Sequence, residues 1–468
     1  MAMTPTTTAF GVGAARYAIG NTTKFAIVFI VVSMHTLRDL SLPLYLSFYV
    51  PTVAVVALQY VFGAKVRRSM VASRLFTAWI FIGVCGFAVS LAIISPGGSV
   101  QGLVRFLFAA PLFMALVLYT ESAQELRRHL VTAVVFFTVA SLTVPLQLLT
   151  GPISWFPPAS VRDGLERYSS LLGSLTSLGI IVGSYIVLAQ AVPPAWRWIL
   201  LFLVIVSAAL SLQKAAFVNI AIGLAFLVIL NRRAWKRLLI ALLTVTALVA
   251  AAYAVVPAVR DRVSVSLLSF GIGGGVGVVH GDFSIWASTW DRLTTLPKAN
   301  FEALVGIHSP LAFLTGAGFG MGNTALVPVG DSIAPMAHNQ FAELFTVFGA
   351  IGGGVQIFIL VVIWLLLWQR IQSGASSIVT AVFFAYILLL LNSLFANGTL
   401  YQPASAAIFF FALFAATSTI FDVPVDFVLG ASPPAQKRWM LTVRSIAGLP
   451  KIPGPIALGP QAQGVEQP

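Results

Sequence analysis

The feature that most constrains this chain is a succession of long apolar runs, separated by short polar breaks, from one end of the sequence almost to the other. Inside a bilayer no water is available to backbone N–H and C=O groups, so each run must satisfy its hydrogen bonds within itself, and the α-helix does this. At 1.5 Å per residue, about 20 residues cross the ~30 Å hydrocarbon layer. Runs of suitable length lie near 23–38, 44–63, 75–94, 102–120, 130–149, 171–191, 198–212, 215–230, 238–256, 345–369, 378–396 and 405–421. The sequence therefore predicts an all-α polytopic membrane protein with about twelve spanning helices. The pair flanking Ser211 to Lys214 could instead be one broken helix, which would invert everything after it.

Composition agrees. The chain is 59% hydrophobic and 9% charged, with a mean hydropathy of +0.96, whereas soluble domains carry about 25% charged residues. Cys85 is the single cysteine. It excludes an internal disulfide or a multi-cysteine metal site, and its apolar surroundings predict a small core hydrophobe. The net charge of +13 could point to nucleic acid. The basic residues, however, fall in short clusters between apolar runs, as in cytoplasmic loops. With the N-terminus inside, eighteen of the 27 basic residues fall on the cytoplasmic side and nine outside. The outer nine are Arg38, Arg105, Arg162, Arg167, Lys214, Arg260, Arg262, Arg292 and Lys298. Arg16 and Lys24 precede the first run with no small-residue cleavage site after it, so that run reads as a retained helix.

The expected organisation is a polytopic membrane domain over 1–421 and a disordered, Pro- and Ala-rich cytoplasmic tail over 422–468. A large outer loop spans 257–343, between the ninth and tenth helices. Long segments of this kind usually carry function. Cations near a bilayer boundary are expensive unless they face a cavity or a partner. Several on the outer side therefore point to an anion site, and the planar guanidinium suits phosphate. Arg38, Arg162, Arg262 and Arg292 each have an adjacent Asp with which a plain ion pair would suffice. Arg167 follows Glu166 but directly precedes a predicted helix. Arg105 and Lys214 have no acid near them in sequence.

His338 stands just before the run that opens "HNQFAELFTVFGAIGGG". If the helix starts near Asn339, the Asn339 side chain can cap it. His338 then sits at the positive end of the helix, where the imidazole is held neutral and can serve as a general base. Glu343, one turn on, either orients the histidine or meets solvent. His35, His129, His280 and His308 read as structural. The five histidines show no metal-binding spacing, so no metal is expected. Upstream, "LTGAGFGMGN" (Leu314–Asn323) resembles a nucleotide fingerprint only superficially, because no strand precedes it. It reads better as a tight turn that lets backbone approach another segment.

Four motifs together resemble the O-antigen ligase and Wzy-type polymerase superfamily of bacterial membrane enzymes. They are the glycine turn followed by "HNQFAELFTVFGAIGG", the large outer loop before it, "RYSSLLGSLTSLG", and "SLQKAAF", together spanning about Arg167 to Gly354. The resemblance implies a GT-C-like membrane fold in the inner membrane with its site facing the periplasm. It implies an inverting, metal- and cofactor-free glycosyltransferase acting on an undecaprenyl-diphosphate-linked oligosaccharide donor. The acceptor would be a glycan, for polymerisation of O-antigen or exopolysaccharide repeats, or lipid A-core, for ligation. A flippase and a chain-length regulator would be its partners. By resemblance His338 maps to the family base and Arg167 to a diphosphate-binding residue. Lys214 sits where arginine is frequent, and one of Arg260, Arg262 and Arg292 fills the role of a loop arginine. Arg105 joins this set on charge alone, with Asn339 and Glu343 in support. The rival class is a transporter or flippase of lipid-linked oligosaccharide. Against it, no matching halves with midplane binding groups are visible.

Overall fold

A computed structural model describes residues 8–421, apart from residues 35, 64–68, 94–95, 157–159, 163–164, 174–176, 212, 232–234, 237–239, 241–242, 244–246, 248–249, 252, 256, 258–259, 262, 265–288, 306–309, 320–327, 330–331, 334–337 and 397–398. The expected tail lies outside the described residues. What is described is mostly helical, with one hairpin of three-residue strands, Ser160–Arg162 with Leu165–Arg167, and one of two-residue strands, Pro328–Val329 with Ser332–Ile333, as its only ladders.

Among the described residues, five helices are long and apolar enough to cross a membrane: Leu42–Phe62, Met70–Ala92, Ser99–Tyr119, Ala123–Thr150 and Gln340–Gln372. Shorter apolar helices cover Ile19–Ser33, Ser177–Ala191, Pro194–Leu210, Ala215–Leu230, Ser377–Ser393 and Pro403–Thr417. One helix ends at Leu210 and another begins at Lys214, a break that fits both two separate spans and one broken helix. Local sequence sets the boundaries. Ser41 accepts from Leu44 N with Pro43 in the first turn. In "ESAQE", Ser122 accepts from Glu125 N while the Glu125 carboxylate accepts from Glu121 N, a capping-box variant.

Two boundaries differ from expectation. The helix expected from 171 starts at Ser177, because Tyr168–Leu172 is buried in non-helical form and pinned by side chains. Gln147 donates to Ser169 O (2.7 Å), Thr36 to Leu171 O (2.8 Å), and Thr143 Oγ accepts from Leu171 N. The described residues between Tyr253 and Ser264 are helical, so the segment expected to be loop from 257 begins as helix.

The surface inverts the logic of a soluble protein. Only 17% of the apolar window in Leu42–Phe62 is buried, and Phe48, Val55, Leu58 and Phe62 point outward. Exposed apolar surface this extensive requires an apolar solvent. Cys85 belongs to this outer surface and is exposed rather than a core residue. It lines an apolar cleft of about 330 Å³ between the Met70–Ile93 helix, Thr315 and Phe348–Val355.

The interior is held by aromatic contacts and close backbone approach. Trp79 stacks on Phe106 at 4.1 Å and Phe137 on Tyr185 at 4.1 Å. A Cβ on Gly183 would meet Asn219 O at 2.4 Å, so the Ser177–Leu188 and Lys214–Leu230 helices pack backbone to backbone. Beside that contact Asn219 and Asn392 exchange two amide hydrogen bonds, 2.8 and 2.7 Å.

Candidate functional site at the broken helix

Asn339 adopts an extended backbone, and its Oδ1 accepts from Phe341 N (3.0 Å) and Ala342 N (3.1 Å), so it is the helix cap that the sequence predicts. His338, one residue before it, has φ 46°, and among the described residues it is the non-glycine residue in the left-handed region. This state is disfavoured for any residue with a Cβ. The ring is half-buried. Its pKa lies below the ordinary 6.5, first because burial disfavours the charged form and second because of the Arg292 guanidinium. The neutral imidazole is thus the expected one, with burial and the neighbouring Arg292 cation as causes.

The helix below the site is not continuous. Gly349, with φ 67° and ψ −173°, interrupts Gln340–Gln372 after two and a half turns. The interruption frees carbonyls that the glycine turn takes up: Ala317 N donates to Thr346 O (2.9 Å) and Gly318 N to Val347 O (3.0 Å). Gly316 and Gly318 also have positive φ. A Cβ on Gly316 would lie 2.3 Å from Val347 O, and one on Gly349 2.3 Å from Gly316 N. The described part of the motif, residues 314–319, is therefore a backbone-docking turn, as read from the sequence, and it fixes the short helix that His338 precedes; residues 320–323 lie outside the described residues.

Glu343 is 1% exposed, which removes the reading in which it meets solvent. Its charge interacts with Arg105 and with Tyr401. The acid that Arg105 lacks in sequence is thus supplied by the tertiary fold, and Arg105 also feels Arg38. Arg292 lies on a π-helical turn, Asp291–Thr295. It donates to Phe395 O (2.8 Å), a bond that reaches across the molecule, and Asp291 accepts from Thr295 (3.2 Å). His338, Arg292, Asn339, Glu343, Arg105 and Arg38 are thereby linked at one end of the helices.

The other predicted residues are less tightly joined to this group. Arg167 is the last residue of the Leu165–Arg167 strand, opposite Ser160, and the buried Tyr168–Leu172 segment follows it. Lys214 opens its helix directly after Gln213, whose Oε1 accepts from Gly179 N (2.7 Å). Arg260 is exposed and turns back to Tyr253 O and Ala254 O (both 3.4 Å). Arg262 lies outside the described residues. Among the described residues no three His, Cys, Asp or Glu side chains converge as metal ligands.

Gln340 and Tyr401, which the sequence reading did not single out, also lie here. Gln340 is fully buried, and its Oε1 accepts from Thr399 Oγ1 (3.3 Å) and Leu400 N (3.4 Å). Ser177 reaches the same 399–402 segment through Gln402 (3.1 Å). No sequence signal marks Tyr401, since only the turn between two apolar helices brings it under Gln340. No protein-family model and no curated protein matches the chain.

Proposed function

We propose that the chain transfers a glycan from a lipid-diphosphate donor to an acceptor hydroxyl at the outer membrane face, in the manner of the polysaccharide polymerases and O-antigen ligases it resembles. The observation that carries this reading is a histidine held in a disfavoured backbone state at a helix cap, half-buried and beside an arginine. Strain of this kind persists where the surroundings over-determine it, and it concentrates at functional sites. In the reaction the acceptor oxygen bonds to the anomeric carbon as the bond from that carbon to the diphosphate oxygen breaks. The acceptor proton passes to neutral His338. The electron pair leaves with the diphosphate, where Arg292 and the neighbouring cations stabilise the growing charge. Repeat-unit polymerisation is the form of transfer we favour, with Arg167 and Lys214 as further diphosphate ligands and the bacterial inner membrane as location.

The test uses purified protein in detergent or nanodiscs with a synthetic undecaprenyl-diphosphate oligosaccharide. The expected result is elongation or transfer that is lost in His338→Ala, while donor binding persists. Donor translocation across a liposome without any new glycosidic bond would replace this reading with the transporter.

A further inference from the structure

The apolar cleft of about 330 Å³ lies beside the broken helix and has the size of a small-molecule site. Ala78, Cys85 and Val89 line it from the Met70–Ile93 helix, and Phe348, Ile351 and Val355 from Gln340–Gln372. At 1.5 Å per residue, Ala78 to Val89 is about 17 Å of helix, so the cleft is long enough for an extended chain. Two glycines set its wall. A Cβ on Gly86 would lie 2.6 Å from the Phe348 ring, and one on Gly352 2.8 Å from Phe348 Cβ, so the ring fits between the helices because both positions lack a side chain.

We propose that this cleft holds the first isoprene units of the donor's polyprenyl chain, while the diphosphate lies on the cations at the end of the helices. This rests on the transfer reading above and names where that donor's lipid is held. The chemistry of the lining excludes the other parts of the donor. Thr315, which also lines the cleft, already donates its hydroxyl to Leu311 O (2.8 Å), so a diphosphate or a glycan there would lose its hydrogen bonds. Access favours a lipid. Phe81 and Ile351 in the lining are exposed on the apolar outer surface, so a chain enters from the bilayer without crossing the protein. Position favours this lipid. The Phe348 ring packs on Phe106 (5.6 Å), the residue after Arg105, so the cleft shares a wall with the cationic end. His338 precedes Phe348 by ten residues, about 15 Å along the helix, so a chain rising past Phe348 brings its head group toward the base. An ordinary bilayer lipid gains little by entering, because lipid is as apolar as the cleft. Binding therefore comes from the diphosphate charge, and the cleft aligns the chain by fit.

Cys85 is the single cysteine and is exposed in the cleft, so its modification by N-ethylmaleimide reads occupancy in the unaltered protein, without turnover. The protein is placed in phosphatidylcholine nanodiscs. Undecaprenyl diphosphate at about ten times its Kd should slow the reaction about tenfold, as occupancy of one site requires. Dioleoyl phosphatidic acid, a phosphate on straight chains, and inorganic diphosphate, a head without a chain, should leave the rate as it is in phosphatidylcholine alone. Cys85→Trp fills the cleft from an exposed position. It should raise the KM of a polyprenyl-diphosphate donor about tenfold, the low end of what a misfit in an apolar pocket costs, and leave that of a donor on a single isoprene unit unchanged. Ala78→Leu keeps the thiol and should weaken the protection.

Unchanged Cys85 reactivity with undecaprenyl diphosphate overturns the proposal. So does equal protection by phosphatidic acid, which would make the cleft a general lipid-facing furrow, or by inorganic diphosphate, which would make the effect an indirect one from the cations. A KM raised equally for the long and the single-isoprene donor would place the damage at the head-group end and overturn it too. Protection in a protein that forms no glycosidic bond would leave the cleft standing and remove the transferase. Transfer with an unprotected Cys85 would do the reverse.

Discussion

At His338 the backbone and the side chain make opposite demands. A glycine would relieve φ 46° but could not accept a proton. General-base help is worth ~10²–10⁴ in rate, so His338→Ala and His338→Gln should each lose activity on that scale while remaining folded. Burial and Arg292 hold the imidazole below 6.5, and the base acts in its neutral form. The acid limb of kcat/KM should therefore lie below pH 6.5, with a flat profile above it until another group titrates. Arg292→Met removes the second of the two causes and should move that limb to higher pH, a change that loss of binding alone would not produce. Arg167→Ala and Lys214→Ala should lose product, with Arg167→Lys rescuing only partly because lysine lacks the bidentate fork. Full activity of both alanine variants would make these two charges structural. The cap at Asn339 and the glycine turn were legible because each depends on a few neighbouring residues. The buried Glu343, its reach to Arg105 and the Gln340–Tyr401 pair were not, because each joins residues at least 58 positions apart in sequence.

Among the elements, the broken helix carries the sharpest expectation. Gly349→Ala places a Cβ into the Leu314 and Gly316 backbone at positive φ, and Gly316→Ala meets Val347 in the same way. Each should destabilise by ~2 kcal/mol or more, above the ~1 kcal/mol of helix propensity that alanine gains over glycine. Gly354→Ala has open space around its Cβ and should be neutral or slightly stabilising. Thermal unfolding of the three variants in one detergent separates them, and equal midpoints would mean that the break is not fixed by backbone contact. The Asn219–Asn392 pair joins the helix that begins at Lys214 to the helix whose end Arg292 caps. A double-mutant cycle with leucine should give a coupling of ~0.6–1.7 kcal/mol, the range for hydrogen bonds between membrane helices. The early expectation of a helix from 171 failed for a physical reason. Hydropathy reports burial, and Tyr168–Leu172 is buried without being helical because side chains from other segments satisfy its backbone.

For the whole molecule, basic side chains gather at the two ends. Arg105, Arg38 and Arg292 meet at one. At the other, Lys24 lies over the Tyr119 ring, Arg127 and Arg197 bond Ala191 O and Val192 O, and Arg370 bonds Ala416 O and Ser418 O. In the orientation we propose, which the charge bias supports, the second end is cytoplasmic. Single cysteines placed in a Cys85→Ala background should report this with an impermeant thiol reagent on spheroplasts. Positions near Lys298 should label from outside and positions near Lys236 should not. The reverse pattern would invert the orientation and with it the outward-facing site. Cys85 must be removed first because it is exposed.

By itself the sequence determined that the chain is helical and membrane-embedded, where its main helices run and which residue caps the helix after His338. Those properties follow from the solvent and from local chemistry, since a bilayer forces backbone bonds within a run and a cap is a matter of adjacent residues. Tertiary structure alone decided that Glu343 lies buried facing Arg105, that Arg292 reaches Phe395 and perturbs His338, that the glycine turn docks on a broken helix, and that Cys85 faces outward. These are contacts between segments far apart in the chain, and hydropathy carries no record of which helix lies beside which or of which face is turned toward lipid.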